Sequence, residues 1–221
     1  DFHKGSIQII DHIDFSVFEK HPKWLVGFSD ITTILIHVQQ QYNISCIHGP
    51  MPFNFKKTNS KTLNKLFELL TGQLKDIKVR HHNFNKVGTI TGKIVGGNLS
   101  VLCSLVGSQS FVDFGDDIIL FIEDVDEYLY HIERMTHILN RSGLLKNLKG
   151  LIVGDMTNMM DNEIPFGKDV YELINDITKK YDYPTCFNFP IGHGGTNYPV
   201  IIGSQIELKI NASFSIIHYK I

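Results

Sequence analysis

Apolar positions along this 221-residue chain come in short blocks that switch between continuous runs and helical stripes. Lys23-Trp24-Leu25-Val26-Gly27, set off by Pro22 and by a Gly-Phe-Ser-Asp turn, predicts a buried strand. From Asp30 to about Tyr42, Ile31, Ile34, Leu35 and Val38 stand at offsets 0, 3, 4 and 7, the stripe of an amphipathic helix. A second strand over 44–47 runs into His48-Gly49-Pro50. A helix from Ser60 to about Leu70 places Leu63, Leu66, Phe67 and Leu70 on one face.

Residues 72–87 are polar, with Lys75, Lys78, Arg80, His81 and His82, and carry no long apolar stripe, so they read as a linker. Beyond them the texture becomes more β-rich. Strands are expected over 88–95, 117–122, 150–153 and 185–189, and helices over 98–105, 126 to about 139, and 167–180. Residues 200–221 are β-rich, with Ile206, Leu208 and Ile210 alternating before an Asn211-Ala212-Ser213 turn. The class is α/β, divided into residues 1–71, a linker at 72–87, and residues 88–221.

Charge narrows the function classes. With 21 Lys plus Arg against 23 Asp plus Glu, the net charge of −2 lacks the cationic excess that nucleic-acid binding needs. A composition of 43% hydrophobic and 20% charged residues is that of a folded, soluble protein, and no run of about 18 uncharged apolar residues predicts a membrane span. Cys46, Cys103 and Cys186 form no C-x-x-C pair, which indicates neither a zinc site nor a disulfide framework. Asp1-Phe2-His3-Lys4-Gly5 has neither an initiator methionine nor the features of a signal peptide, so the natural start is expected to be missing.

Three residues could carry chemistry. Ser29 sits at a strand-to-helix junction, where a hydroxyl projects from a sharp turn beside the N–H groups of a helix start. A plain N-cap, by Ser29 or by Asp30, explains the same pattern. Glu123 ends the apolar run 118–122, where open α/β sheets place their sites. The neighbouring Asp126 and Glu127 read more simply as charges favouring the next helix start. His193 lies among Gly192, Gly194 and Gly195, which leave the room a general base needs, although an exposed histidine in a glycine turn fits as well. Gly96-Gly97-Asn98-Leu99-Ser100 could bind an anion through its amides, but Asn98 as an N-cap is the simpler reading. His131 and His137, six apart, do not share a helix face as metal ligands would, and no metal site is expected.

Taken in order, Gly27-Phe28-Ser29-Asp30-Ile31-Thr32, His48-Gly49-Pro50, Gly96-Gly97-Asn98-Leu99, Ile122-Glu123-Asp124 and Gly192-His193-Gly194 resemble the LD-carboxypeptidases, or muramoyltetrapeptide carboxypeptidases, a family of serine peptidases. The resemblance runs from about Ser6 onward. It implies Ser29 as nucleophile, Glu123 as orienting acid, His193 as general base, the backbone N–H of Asp30 as an oxyanion donor, and Gly97 and Asn98 in substrate binding or support. It also implies a partial N-terminal parallel-sheet α/β domain, then a β-rich, partly barrel-like domain, with the cleft between them. The implied reaction releases terminal D-alanine from a murein tetrapeptide in cytoplasmic peptidoglycan recycling. No metal, cofactor, nucleic acid or membrane is expected to take part, and by analogy with relatives that pair, a homodimer is a possible assembly.

Upstream, the pattern departs. Relatives carry an Arg-Gly-Gly-Tyr-Gly-like loop thought to lend a second oxyanion amide, and of Asp1-Phe2-His3-Lys4-Gly5-Ser6 only Gly5-Ser6 matches. A parallel sheet short of strands would expose apolar edges, so a chain beginning at Asp1 is expected to be poorly soluble or inactive. Two alternatives stand beside the peptidase. One resembles the microcin C immunity proteins, serine hydrolases of aminoacyl nucleotides. That substrate calls for an aromatic platform near 72–87, where Phe84 is the only aromatic; the single tryptophan, Trp24, lies before the serine. The other is a non-catalytic module binding cell-wall peptides, for which an intact nucleophile would be superfluous.

Overall fold

The structure, a computed structural model, describes residues 5–74, 76–111, 115 and 117–220. Two short helices, α1 (Ser6–Ile9) and α2 (Ser16–Lys20), lead into strand β1 (Val26–Gly27), helix α3 (Thr32–Tyr42), strand β2 (Cys46–His48) and helix α4 (Ser60–Leu70). Strands β3 (Asp76–Arg80) and β4 (Gly88–Asn98), helix α5 (Leu99–Leu105), strand β5 (Ile118–Val125), helix α6 (Leu129–Arg141) and strand β6 (Gly150–Thr157) follow. Helix α7 (Val170–Thr178) and strands β7 (Thr185–Cys186), β8 (Val200–Ile202), β9 (Gln205–Ile210) and β10 (Phe214–Tyr219) complete the α/β chain.

The strands form two mixed sheets. The larger has the order β3-β10-β9-β4-β5-β6-β7, parallel from β4 to β7 and antiparallel from β4 back to β3. In β5 every residue from Ile118 to Asp124 is buried, as expected of a central parallel strand covered on both faces. In β9, Ile206, Leu208 and Ile210 are buried while Gln205 and Lys209 are exposed, the alternation of a strand with one wet face. The smaller sheet, β1-β2-β8, pairs β1 with β2 in parallel and β2 with β8 in antiparallel, so a C-terminal strand completes an N-terminal sheet. One apolar core runs through both, from Leu35 and Ile47 to Leu120, Ile152 and Ile217.

Several local expectations shift. The stretch read as a linker contains β3, the outer strand of the larger sheet, paired with β10. Its pattern was hidden because only Ile77 is fully buried, while Asp76, Lys78 and Arg80 face solvent, and such charges protect a sheet edge from pairing with other chains. Lys86, just before β4, bridges Thr185 of β7, but this single bridge makes no closed barrel. On α4, Leu66 and Leu69 are buried with Thr62, whereas Phe67 is 60% and Leu70 39% exposed, so the buried face is rotated from the expected one. β5 runs on through Glu123 to Val125, and Asp126, at a left-handed φ of 57°, ends it; α6 therefore starts at Leu129. α7 starts at Val170, behind an Asp169–Glu172 capping box. Among the described residues no helix is long and apolar enough to cross a membrane.

Candidate active site

The turn after β1 is built for close packing. A Cβ on Gly27 would lie 2.6 Å from Ile31 Cγ2, so only glycine lets the chain fold back so sharply. Ser29 then takes φ 61°, a left-handed conformation that costs a serine roughly 1–3 kcal/mol. No side chain caps either the 3-10 turn Ser29–Ile31 or α3, so neither Ser29 nor Asp30 acts as an N-cap. The Asp30 side chain instead accepts the N–H of Ser6 at 3.1 Å, and the Asp30 carbonyl accepts the Ser6 hydroxyl at 2.7 Å. The matching Gly5-Ser6 tail is thus docked beside Ser29. Residues 1–4, on which the upstream departure falls, lie outside the described residues.

His193 and Glu123 meet directly. Nδ1 of the ring donates to Glu123 Oε2 at 2.7 Å, with the carboxylate completely buried. Glycine at 192 is what admits this contact, and the loop is held by Asn197, whose Oδ1 accepts the Gly192 N–H at 3.1 Å. Burial alone would raise the Glu123 pKa, but the hydrogen bond from His193 and the nearby His48 ring hold it below the ordinary carboxylate value. Burial likewise works to lower the His193 pKa, and the hydrogen bond and charge of Glu123, helped by Asp124 and Asp126, hold it above the ordinary imidazole value. Phe28, the residue before Ser29, places its ring centroid 4.7 Å from that of His193, and no hydrogen bond among the described residues joins Ser29 itself to the pair. Among the described residues the Ser29 hydroxyl makes no hydrogen bond.

Gly97 and Asn98 serve as a bracket. A Cβ on Gly97 would meet Thr32 Cγ2 at 2.5 Å, and the Asn98 N–H donates to Thr32 Oγ1 at 3.2 Å, tying β4 to the helix that follows Ser29. The Asn98 side chain caps α5 by accepting the Val101 N–H at 3.1 Å and donates to Asp124 Oδ1 at 2.9 Å. Asp124 also accepts the Ser100 N–H, yet burial still pushes its carboxyl up to about 6. In register, Asn98 stands beside Glu123.

Four contributors escaped the sequence reading. His48, at the end of β2, places Nε2 3.7 Å from Glu123 Oε1 with both side chains fully buried; the strand-end signal that singled out Glu123 applies equally to it. Asn197 and Asn54 line a cavity of about 330 Å³ with Phe28, Lys57 and His193, and the Asn197 Nδ2 and Asn54 Oδ1 atoms are buried without a partner. Asp155, in β6, packs against Gly194, where a Cβ would lie 2.4 Å from its Oδ2; burial and then the Glu123 charge push its carboxyl up to about 6. It lines a second cavity of about 440 Å³, which shares Gly195 as a lining residue with the first, together with Arg80, His81, His82 and Phe187. His82 packs against Phe84, Tyr171 and Phe187, so aromatic neighbours absent from 72–87 arrive from α7 and the segment after β7. Trp24 is half exposed. Among the described residues no His, Cys, Asp and Glu cluster is arranged to hold a metal ion.

Comparison with known proteins places this geometry. The model of the LD-carboxypeptidase C-terminal domain matches residues 91–208, and that of the N-terminal domain matches residues 4–49. A probable murein peptide carboxypeptidase of Bacillus subtilis is 29% identical, over 93% of this chain and 66% of its own length. The chain thus spans about two thirds of that curated relative. The crystal structure of a muramoyltetrapeptide carboxypeptidase from Oxalobacter formigenes superposes with a TM-score of 0.85 at 25% identity, covering 98% of this chain and 75% of that one. The microcin C7 self-immunity protein MccF, known from Escherichia coli, superposes with a TM-score of 0.85 at 18% identity over 97% of this chain and 73% of its own, a likeness of fold alone.

Proposed function

The chain belongs to the LD-carboxypeptidase family, and from that premise we propose that it is a serine peptidase releasing the terminal D-alanine of a murein tetrapeptide in the recycling of cell-wall fragments. The observation that carries this reading is the buried hydrogen bond between His193 and Glu123, set in a glycine loop on the wall of a cavity. Ionised Glu123 accepts the proton on Nδ1, which leaves Nε2 as the nitrogen able to take a proton. In the proposed reaction Ser29 Oγ attacks the carbonyl before the terminal D-residue while His193 removes its proton. The N–H of Asp30 stabilises the oxyanion, an interaction worth about 3 kcal/mol in such sites. His193 returns the proton to the leaving amine, and water then hydrolyses the acyl-serine by the same route.

The cavity chemistry suits a peptide C-terminus. Asn197 Nδ2 offers a donor, Asn54 Oδ1 an acceptor, and the exposed Lys57 makes no ion pair among the described residues. A buried unpartnered amide is costly unless a ligand satisfies it. We assign the pair to a peptide group of the substrate and Lys57 to its carboxylate.

Incubation with a murein tetrapeptide should release D-alanine, and Ser29→Ala should abolish the release. A tetrapeptide ending in an amide should react roughly tenfold more slowly, and Lys57→Met should erase that preference. Failure of a fluorophosphonate to label Ser29 in folded protein would remove the serine mechanism. The aromatic wall of His82 and Phe187 beside Arg80 in the second cavity favours one other reading, an aminoacyl-nucleotide hydrolase. Labelling of Ser29 together with cleavage of an aminoacyl sulfamoyl adenylate, and no D-alanine release, would select it.

A further inference from the structure

Glu123 has two oxygens, and His193 takes only one. Oε1 is buried without a hydrogen-bond partner, and so are both ring nitrogens of His48, whose Nε2 stands 3.7 Å away. A buried charged oxygen and a buried imidazole N–H each need a partner, and each is the nearest candidate for the other. Closing the gap by roughly half an ångström brings them within hydrogen-bond range.

Among the described residues no other neighbour is placed as a donor to Oε1. The Gly192 N–H is already given to Asn197 Oδ1, and Asp124 and Asp155 are carboxyls whose own pKa burial and the Glu123 charge raise. The His48 ring is itself confined. Its backbone pairs with Gly27 of β1 on one side and Val200 of β8 on the other. Its ring stands edge-on to Phe121 at 5.0 Å and against Phe28 at 6.1 Å. The pairing with Gly27 places His48 on the strand next to the one that leads into Ser29.

Resting on the assignment of Glu123 and His193 above, we infer that His48 is a positioning residue for the acid: its Nε2–H donates to Glu123 Oε1 and holds the carboxylate ionised and turned toward His193. The need is greatest when His193 becomes an imidazolium. A buried carboxylate flanked by two acidic neighbours and lacking a second donor would tend to draw the Nδ1 proton across and lose its charge. His48 opposes that transfer without touching the substrate.

The test follows the rate of Ser29 labelling by a small fluorophosphonate against pH, a readout that does not depend on the natural substrate. His48→Phe keeps a ring but loses the donor. It should slow labelling at the plateau by roughly tenfold or more, the worth of one hydrogen bond to a charged group. It should also move the acid limb to higher pH, because a carboxylate–imidazole pair deprived of a donor binds its proton more tightly. His48→Gln, which can present an N–H to the same oxygen, should recover most of the rate and the wild-type limb. A wild-type rate and pH profile in His48→Phe, or equal slowing in both variants with the limb unmoved, would overturn the inference. In the unmodified protein, 15N NMR should find the His48 proton on Nε2, and a proton found on Nδ1 alone would overturn it with no substitution at all. Absence of D-alanine release with these labelling results intact would count against the proposed substrate and leave the role of His48 standing.

Discussion

Gly192 is pressed against Glu123 so closely that a Cβ built on it would lie 2.8 Å from Oε2 and 2.9 Å from the Glu123 Cβ, at a φ of 131°. The contact makes glycine a condition of the His193–Glu123 hydrogen bond. Gly192→Ala should cost about 1–3 kcal/mol of stability through backbone strain. By displacing the carboxylate it should also slow Ser29 labelling by more than the loss of folded protein accounts for. Thermal melts and labelling rates on the same sample check both.

Ser29 is held at φ 61°, where glycine is at ease and serine is not. Ser29→Gly should therefore be more stable than Ser29→Ala, by up to about 1 kcal/mol, since alanine keeps the strain. Both variants should be inactive. Urea midpoints rank the pair, and equal midpoints would mean that the turn stores no strain.

Glu123 raises the His193 pKa above the ordinary imidazole value. Because the base must be neutral to act, activity should fall as pH drops through that raised value. In Glu123→Gln the negative charge is gone, so the acid limb should move to lower pH, while the plateau rate falls by about 10⁴ if the usual loss of a triad acid applies. A pH–rate profile of the variant decides this, and an acid limb moved upward would contradict the pairing.

Asp124 is a buried carboxyl whose pKa is pushed up to about 6 by desolvation. A carboxyl whose folded value lies above its unfolded one contributes stability below the unfolded value, and that contribution is lost as pH rises through the folded one. Going from pH 4 to pH 7, the wild type should therefore lose stability relative to Asp124→Asn, whatever their absolute difference. Urea midpoints at pH 4, 5, 6 and 7 measure the trend.

How far the chain could be read from its residues depended on how each element buries itself. The helices α3 and α4 and the strands β5 and β6 were legible because burial imposes a repeat on the residues themselves: Leu35 and Val38 in α3, and the unbroken apolar run of β5. β3 was not, because an edge strand with a wet face needs only Ile77 and Val79 to be apolar, too few to form a pattern. The face of α4 was misread because Leu63, Leu66, Phe67 and Leu70 fit a stripe as well as Thr62, Leu66 and Leu69 do, and only the neighbouring core selects between them.

For the candidate site, residue types and order were enough to single out Ser29, Glu123 and His193, since a hydroxyl at a strand end, a carboxylate at a strand end and a histidine among glycines are local features. Their relation in space was not local. Register across β1, β2, β4 and β5 sets His48 beside Gly27 and Asn98 beside Glu123, and a loop 70 residues along the chain from Glu123 then brings the His193 ring onto its carboxylate. Sequence determined which groups are present and which segments carry them, because side-chain chemistry and short-range periodicity belong to the chain itself. Tertiary packing alone decided which groups share a buried carboxylate and which are left without a partner, because desolvation and hydrogen bonding depend on neighbours that the chain order does not reveal.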